Sequence, residues 1–336
     1  MTTTGMAGSS SFTHDDVLAN GISIHTVSAG DGPLVLFCHG FPESWYSWRH
    51  QLQAVADAGF RAVAMDMRGY GNTTAPEDIG AYTISHLVGD TVGVVSALGA
   101  DEAVIVGHDW GAPVAWYSAL MRPDVFRAVA ALSVPYTPPF GGLPPGITMN
   151  DLMRSAAGDR DYYRLYFQEQ GVAEEEIGAD LDRFVRGFLY TVSGDAVEDG
   201  VHQTPWDGYF PKGERLVEQL TLPETLPGWL TEEDVATYVA ELSRNGIRGG
   251  LNWYRNLNTL PTALAPFAGA TIRQPALYLA GERDLIAGNT EEALATVRAS
   301  LPNLHALQVF PGAGHWLQQE RPDGVNDALL EFLRAL

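Results

Sequence analysis

Three side chains in this 336-residue sequence have the types and the spacing that nucleophilic chemistry needs. Asp109 sits in Gly107-His108-Asp109-Trp110-Gly111, after the apolar run Val104-Ile105-Val106 and before a helical pattern. A strand, sharp turn and helix lift one side chain clear of a sheet edge, and flanking glycines let helix and strand approach closely. Asp284 follows the apolar run Ala276 to Ala280, and His315 follows Ala306 to Phe310. Nucleophile, acid and base therefore come in the order of a nucleophile elbow served by a histidine and its acidic partner. Residues 125 to 150 contain no carboxylate, which makes Asp284 the expected acid.

Aspartate at the elbow decides the chemistry. A serine attacking a saturated carbon would leave an ether that activated water does not hydrolyse, whereas an aspartate leaves an ester that it does. With an ordinary pKa of about 3.9, Asp109 is expected to be ionised at neutral pH. The expected reaction is displacement at a saturated carbon, then ester hydrolysis by water that His315 deprotonates while Asp284 fixes the tautomer. The oxyanion forms at Asp109, and the backbone N–H groups of Phe41 and Trp110 are its expected donors. A halide would leave as an anion, but an epoxide oxygen leaves as an alkoxide and needs a proton or strong hydrogen bonds. Tyrosine hydroxyls suit that role, and two stretches offer them: Asp161-Tyr162-Tyr163-Arg164-Leu165-Tyr166-Phe167-Gln168 and Leu251-Asn252-Trp253-Tyr254-Arg255-Asn256.

The elements that must position these groups alternate in type. Apolar runs at 21–26, 34–38, 60–67, 104–108 and 125–134 read as strands, and helical patterns at 44–59, 84–98 and 110–121 separate the later ones. Such alternation predicts an α/β class, a mostly parallel sheet flanked by helices, with ligands at the strands' carboxyl ends. At Pro135 the rhythm breaks into prolines and glycines. Helices without sheet strands are expected at 150–157, 161–170, 174–193, 231–245 and 248–257, with a long loop over 195–230. This insertion reads as a helical cap domain over 137–262, between core segments 14–136 and 263–336, with a disordered lead over 1–13.

Composition narrows the function classes. The formal net charge of -21, with 19 arginines against the single Lys212, argues against nucleic acid and anionic membranes as partners. The first 48 residues carry no Lys or Arg, so no secretory n-region is expected and a cytoplasmic location is. The lone Cys38 falls within a strand pattern and is expected to pack rather than react. No Cys/His/carboxylate cluster has metal spacing, and neither a metal nor another cofactor is expected.

Together, His39-Gly40-Phe41-Pro42-Glu43-Ser44-Trp45, Asp66-Met67-Arg68-Gly69-Tyr70-Gly71, the Asp109 elbow, Tyr163-x-x-x-Phe167-Gln168, Asn252-Trp253-Tyr254-Arg255 and Gly314-His315-Trp316 resemble the soluble epoxide hydrolases of the α/β-hydrolase fold. The resemblance runs from about residue 15 to the C-terminus. It implies Asp109 as nucleophile, His315 as base, Asp284 as its partner, and Tyr163 and Tyr254 as the groups that polarise the epoxide oxygen. Tyr162 and Tyr166 compete with Tyr163 for that role. It also implies a cis Phe41–Pro42 peptide and a pocket drawn from His39, Pro42, Trp110, Phe167 and Trp316. The expected partner is a small, apolar epoxide, and the assembly a monomer or homodimer. A haloalkane or haloacid dehalogenase shares the aspartate chemistry. The haloalkane enzymes place Asn or Glu where Phe41 stands, and the fluoroacetate enzymes place arginine where Trp110 stands. A non-catalytic receptor on the same fold is the remaining alternative.

Overall fold

Short runs of β-branched and small apolar residues build the sheet, and their alternation shows which face each side chain serves. The computed structural model describes residues 12–200, 204–284, 286 and 290–336. Strands β1 (Thr13–Ala19), β2 (Ile22–Ala29), β3 (Leu34–Cys38), β4 (Arg61–Met65), β5 (Ala103–His108) and β6 (Phe126–Leu132) come first; two distant short strands, β7 (Arg160–Tyr162) and β8 (Tyr209–Pro211), pair apart; β9 (Ala276–Gly281) and β10 (Leu304–Phe310) complete the main sheet. The sheet order is β1-β2-β4-β3-β5-β6-β9-β10, with antiparallel pairing at the β1–β2 and β2–β4 contacts and parallel pairing elsewhere. Both faces are buried, as a mostly parallel sheet requires. On β3 and β5, Leu36, Cys38 and Ile105 join one hydrophobic cluster, while Val35, Phe37, Val104 and Val106 join the other.

Helix α1 (Arg49–Asp57) packs Leu52 and Val55 into the second cluster, together with Val325, Leu329 and Phe332 of the C-terminal helix 322–334. Helices α2 (Ile84–Ala97) and α3 (Gly111–Met121) cover the opposite face through Val94, Trp116 and Ala119. Each fully buried Leu, Val or Phe contributes about 1.5–3 kcal/mol, so the strand ends that carry the site stand on a rigid base. No described helix is long and apolar enough to cross a membrane.

Between β6 and β9 lie α4 (Met149–Ala157), α5 (Tyr163–Tyr166), α6 (Val172–Ala179), α7 (Leu181–Thr191), α8 (Asp195–Glu198), α9 (Glu232–Asn245), α10 (Arg248–Arg255) and α11 (Leu260–Leu264). Four expectations need correction. The segment 161–170 is not one helix: Tyr162 pairs with Tyr209 across β7 and β8, their rings stack at 4.5 Å, and the Arg160 guanidinium lies 4.4 Å from the Tyr209 ring. Such cross-strand aromatic contact outweighs local helix preference, and it places strand in a region expected to have none. The segment 174–193 is two helices, because Asp180 leaves helical geometry and its carboxylate caps the Arg183 N–H at 3.0 Å. Within 195–230, α8 and β8 replace part of the expected loop; residues 201–203 lie outside the described residues. The disordered lead lies outside the described residues up to position 11, while Thr13 already belongs to β1.

The insertion is tied to the sheet side by specific polar contacts. Trp253 Nε1 donates to the Arg68 carbonyl at 3.0 Å, and Asn256 Nδ2 to that of Ile79 at 2.7 Å. A Cβ on Gly249 would meet the Gly69 carbonyl oxygen at 2.3 Å. The Asp66-to-Gly71 motif thus receives α10, and Asp66 itself accepts the Trp45 N–H at 2.9 Å and pairs with His25.

Candidate active site

The elbow forms because β5 ends in a turn that only small neighbours permit. Asp109 has φ 49°, a left-handed conformation unusual for a residue with a side chain. A Cβ on Gly107 would strike the Gly111 carbonyl oxygen at 2.0 Å, and one on Gly111 would strike that of Cys38 at 2.1 Å. Both glycines are therefore demanded by close strand-to-helix approach. Asp109 is buried, with its side chain directed to the carboxyl ends of the strands.

His315 meets it there. Nε2 of His315 lies 3.5 Å from Asp109 Oδ2, and Nδ1 lies 3.1 Å from both Asp284 carboxylate oxygens. Ser133 Oγ, at the end of β6, lies a further 3.1 Å from Nδ1. Burial alone would push the imidazole down, but Asp284, and then Asp109, hold it well above the usual histidine range. Burial pushes Asp109 up, yet His315, His108 and the Phe41 N–H hold it below the ordinary carboxylate range. Phe41 N–H donates to Asp109 Oδ1 at 2.8 Å. The Trp110 N–H stands at the start of α3, among the amides that have no intrahelical acceptor.

Two buried phenols pack against each other beside the elbow. Tyr254, from α10, packs its ring 5.2 Å from Trp110 and 5.9 Å from Tyr163. Burial raises both phenols, and the Asp109 charge raises both further. Among the three crowded tyrosines, Tyr162 stacks on Tyr209 and Tyr166 donates to Glu176, so neither faces Asp109. Of the three, it is the Tyr163 phenol that feels the Asp109 charge.

A cavity of about 240 Å³ opens above Asp109, lined by Trp110, Val134, Phe140, Met149, Arg164 and Leu257 among others. Of the expected pocket residues, Trp110 lines this cavity and four stand behind it. His39 is fully buried, with its ring N–H donated to the Gly40 carbonyl at 2.8 Å and Nε2 accepting the Met67 N–H at 3.0 Å. Pro42 follows a cis Phe41–Pro42 bond. Phe167 packs between Phe41 and Tyr254, and Trp316 donates to the Leu189 carbonyl at 2.7 Å.

Several residues beyond the expected set also build the site. His108 bridges Glu43 Oε2 and the His315 carbonyl, at 2.7 Å each, which links the elbow, the 39–43 turn and the His315 loop. Glu320 accepts backbone N–H groups from Gly194, Gly314 and Trp316, at 3.1, 2.7 and 3.0 Å, and so clamps that loop to the insertion. Arg164 Nε donates to the Tyr163 hydroxyl at 2.9 Å. Glu43 and His108 lie within the quoted motifs, whereas the reach of Glu320 to Gly194 and the turn of the Arg164 side chain onto Tyr163 leave no signal in the sequence. Among the described residues no cluster of three or more His, Cys, Asp or Glu could hold a metal ion.

Residues 33–322 match the α/β-hydrolase-fold family model. The chain is 42% identical over 319 residues to epoxide hydrolase A of Mycobacterium tuberculosis, covering 94% of this chain and 96% of that protein. It is 39% identical over 326 residues to epoxide hydrolase 1 of Siraitia grosvenorii, covering 96% and 98%. The crystal structure of epoxide hydrolase A from Mycobacterium thermoresistibile superposes with a TM-score of 0.86 at 42% identity, over 96% of this chain and 98% of that one. An epoxide hydrolase from an endophytic Streptomyces gives a TM-score of 0.91 at 44% identity, over 97% and 96%. With the Asp109 elbow and the facing phenols, these likenesses make the chain a member of the α/β-hydrolase-fold epoxide hydrolases.

Proposed function

We propose that this protein converts an apolar epoxide and water to a vicinal diol through a covalent ester on Asp109. The observation that carries the reading is the alignment of an ionised elbow aspartate with His315 and Asp284, with the packed phenols of Tyr163 and Tyr254 in reach of its charge. Asp109 Oδ1 accepts the Phe41 N–H, so Oδ2 is the oxygen left to attack an oxirane carbon. Tyr163 and Tyr254 donate to the epoxide oxygen as its C–O bond breaks. Water then attacks the ester carbon while His315 Nε2 takes its proton, and Asp284 holds the imidazole in register. The oxyanion is met by the N–H groups of Phe41 and Trp110, and its collapse releases the diol.

Residues 137–262 act in this reading as a cap that carries both phenols over the core segments 14–136 and 263–336. The apolar cavity lining favours an apolar substrate that sheds its water on entry. A single turnover in isotopically labelled water tests the route. The first diol released should carry an unlabelled oxygen taken from Asp109; label in that diol would exclude the ester. Asp109→Ala should abolish turnover of aryl, alkyl and cyclic epoxides alike.

A further inference from the structure

Arg164 is the cation of the apolar cavity. It is half-buried, lines the space above Asp109, and its Nε donates to the Tyr163 hydroxyl at 2.9 Å. Its guanidinium carbon stands 5.5 Å from the Tyr163 ring centroid and 5.9 Å from that of Tyr162. Among the described residues no carboxylate forms an ion pair with it, in contrast to Arg255, which Glu174 neutralises on the neighbouring helix. A cation kept beside a phenol without a counter-ion retains its full field at that oxygen. Among the described residues no cation hydrogen-bonds the Tyr254 phenol, which feels the Arg164 charge only through space and is surrounded by the rings of Phe41, Trp110 and Phe167.

We propose that Arg164 is a positioning residue for Tyr163: its Nε–H occupies one lone pair of the phenol oxygen, turns the phenol proton toward the epoxide, and stabilises the charge left on that oxygen when the ring opens. The inference rests on the roles given above to Asp109 and Tyr163. As Asp109 Oδ2 forms the ester bond, the oxirane C–O bond breaks and its electron pair goes to the epoxide oxygen. That oxygen takes the Tyr163 proton, and the phenolate rests beside the guanidinium until solvent restores the proton. The two phenols then play unequal parts, since Tyr163 transfers a proton and Tyr254 supplies a hydrogen bond. Charge-assisted hydrogen bonds are about twice as strong as neutral ones, and the gain arises only as charge develops, so it accelerates ring opening.

The test is rapid quench with styrene oxide, counting the alkyl-enzyme by mass spectrometry so that ring opening and ester hydrolysis are timed separately. Arg164→Met should slow ring opening roughly tenfold or more and leave ester hydrolysis within about twofold. Arg164→Lys, which keeps the charge, should recover most of the loss, and Arg164→Gln little of it. In a Tyr163→Phe background the Met substitution should change ring opening by less than about twofold, because the acceptor is gone. Equal slowing of both steps, an undiminished effect in the Tyr163→Phe background, or a fully active Arg164→Gln would overturn the proposal. Failure of the wild-type protein to form any adduct would instead sink the Asp109 reading, and this inference with it.

Discussion

Gly40→Ala tests whether the turn before Phe41 is shaped around the nucleophile. A Cβ there would meet both Cβ and Oδ1 of Asp109 at 2.3 Å and Cγ at 2.7 Å. Ordinary contact begins near 3.4 Å, so the turn and the elbow must separate by about 1.1 Å. The aspartate cannot yield by a rotamer change alone, because its own Cβ is among the struck atoms and Gly107 and Gly111 already hold its backbone against β3. The shift falls on the 2.8 Å bond from Phe41 N–H to Oδ1 and on the 3.5 Å approach to His315. A misplacement of about 1 Å costs on the order of 10²-fold in rate, or about 2.7 kcal/mol of barrier. Gly40 lies outside the left-handed region, so alanine carries no backbone penalty and the fold should survive. Rapid-quench measurement of alkyl-enzyme formation, beside a thermal melt, reads both quantities. Gly178→Ala, on the exposed face of α6 with nothing within 4 Å, is the control and should match the wild type. Ring opening within about threefold of wild type in Gly40→Ala would refute the argument that this turn sets the nucleophile's position.

Two further outcomes follow from the charges around His315. Asp284 raises the imidazole's affinity for a proton, so Asp284→Asn should move the acid limb of ester hydrolysis to lower pH and let alkyl-enzyme accumulate; an unmoved limb in a pH series of single turnovers would remove Asp284 from the pairing. Burial pushes the Glu320 carboxyl from its ordinary 4.5 up to about 7, against the three backbone N–H groups that it accepts. Because the folded value lies above the unfolded one, its stabilising contribution is complete below about 4.5 and is lost as pH rises through about 7. The Tm difference between wild type and Glu320→Gln should therefore shift against the wild type across that window, and a difference independent of pH would contradict it.

Asp109, Asp284 and His315 were legible because strand ends in a parallel sheet have a sequence signature, and three residue types in one order at those ends leave little freedom. The choice among Tyr162, Tyr163 and Tyr166 was not legible. What separates their surroundings is the β7–β8 register, which pairs Tyr162 with Tyr209 some 47 positions away and so starts α5 at Tyr163. Helical periodicity through 161–170 offers no trace of that pairing, since aromatic residues suit a strand as well as a helix. His39 shows the converse problem. A histidine beside the turn at Phe41 reads as a pocket residue, but its ring spans the Gly40 carbonyl and the Met67 N–H and acts as a brace. Ser133 and Glu320 pass unnoticed because distant partners reach them through tertiary packing, His315 at 182 residues and Gly194 at 126, whereas Arg164 bonds its own neighbour Tyr163 through a side-chain direction that spacing does not reveal.

The electrostatics of the resting site bear on how one histidine can serve both steps of the proposed route. With Asp109 ionised, His315 faces two carboxylates and favours its proton, which in turn keeps Asp109 charged and in place for attack. A protonated imidazole cannot deprotonate water. Ester formation removes the Asp109 charge and with it one of the two influences that raise His315, so the imidazole's proton affinity falls when a base is first required. Asp284 must then orient the ring without holding its proton, and both of its carboxylate oxygens lie 3.1 Å from Nδ1, which Ser133 Oγ also approaches. In the proposed route Asp109 would thus also be the switch for hydrolysis of its own ester, which gives aspartate at the elbow a second consequence beyond the ester chemistry proposed for it.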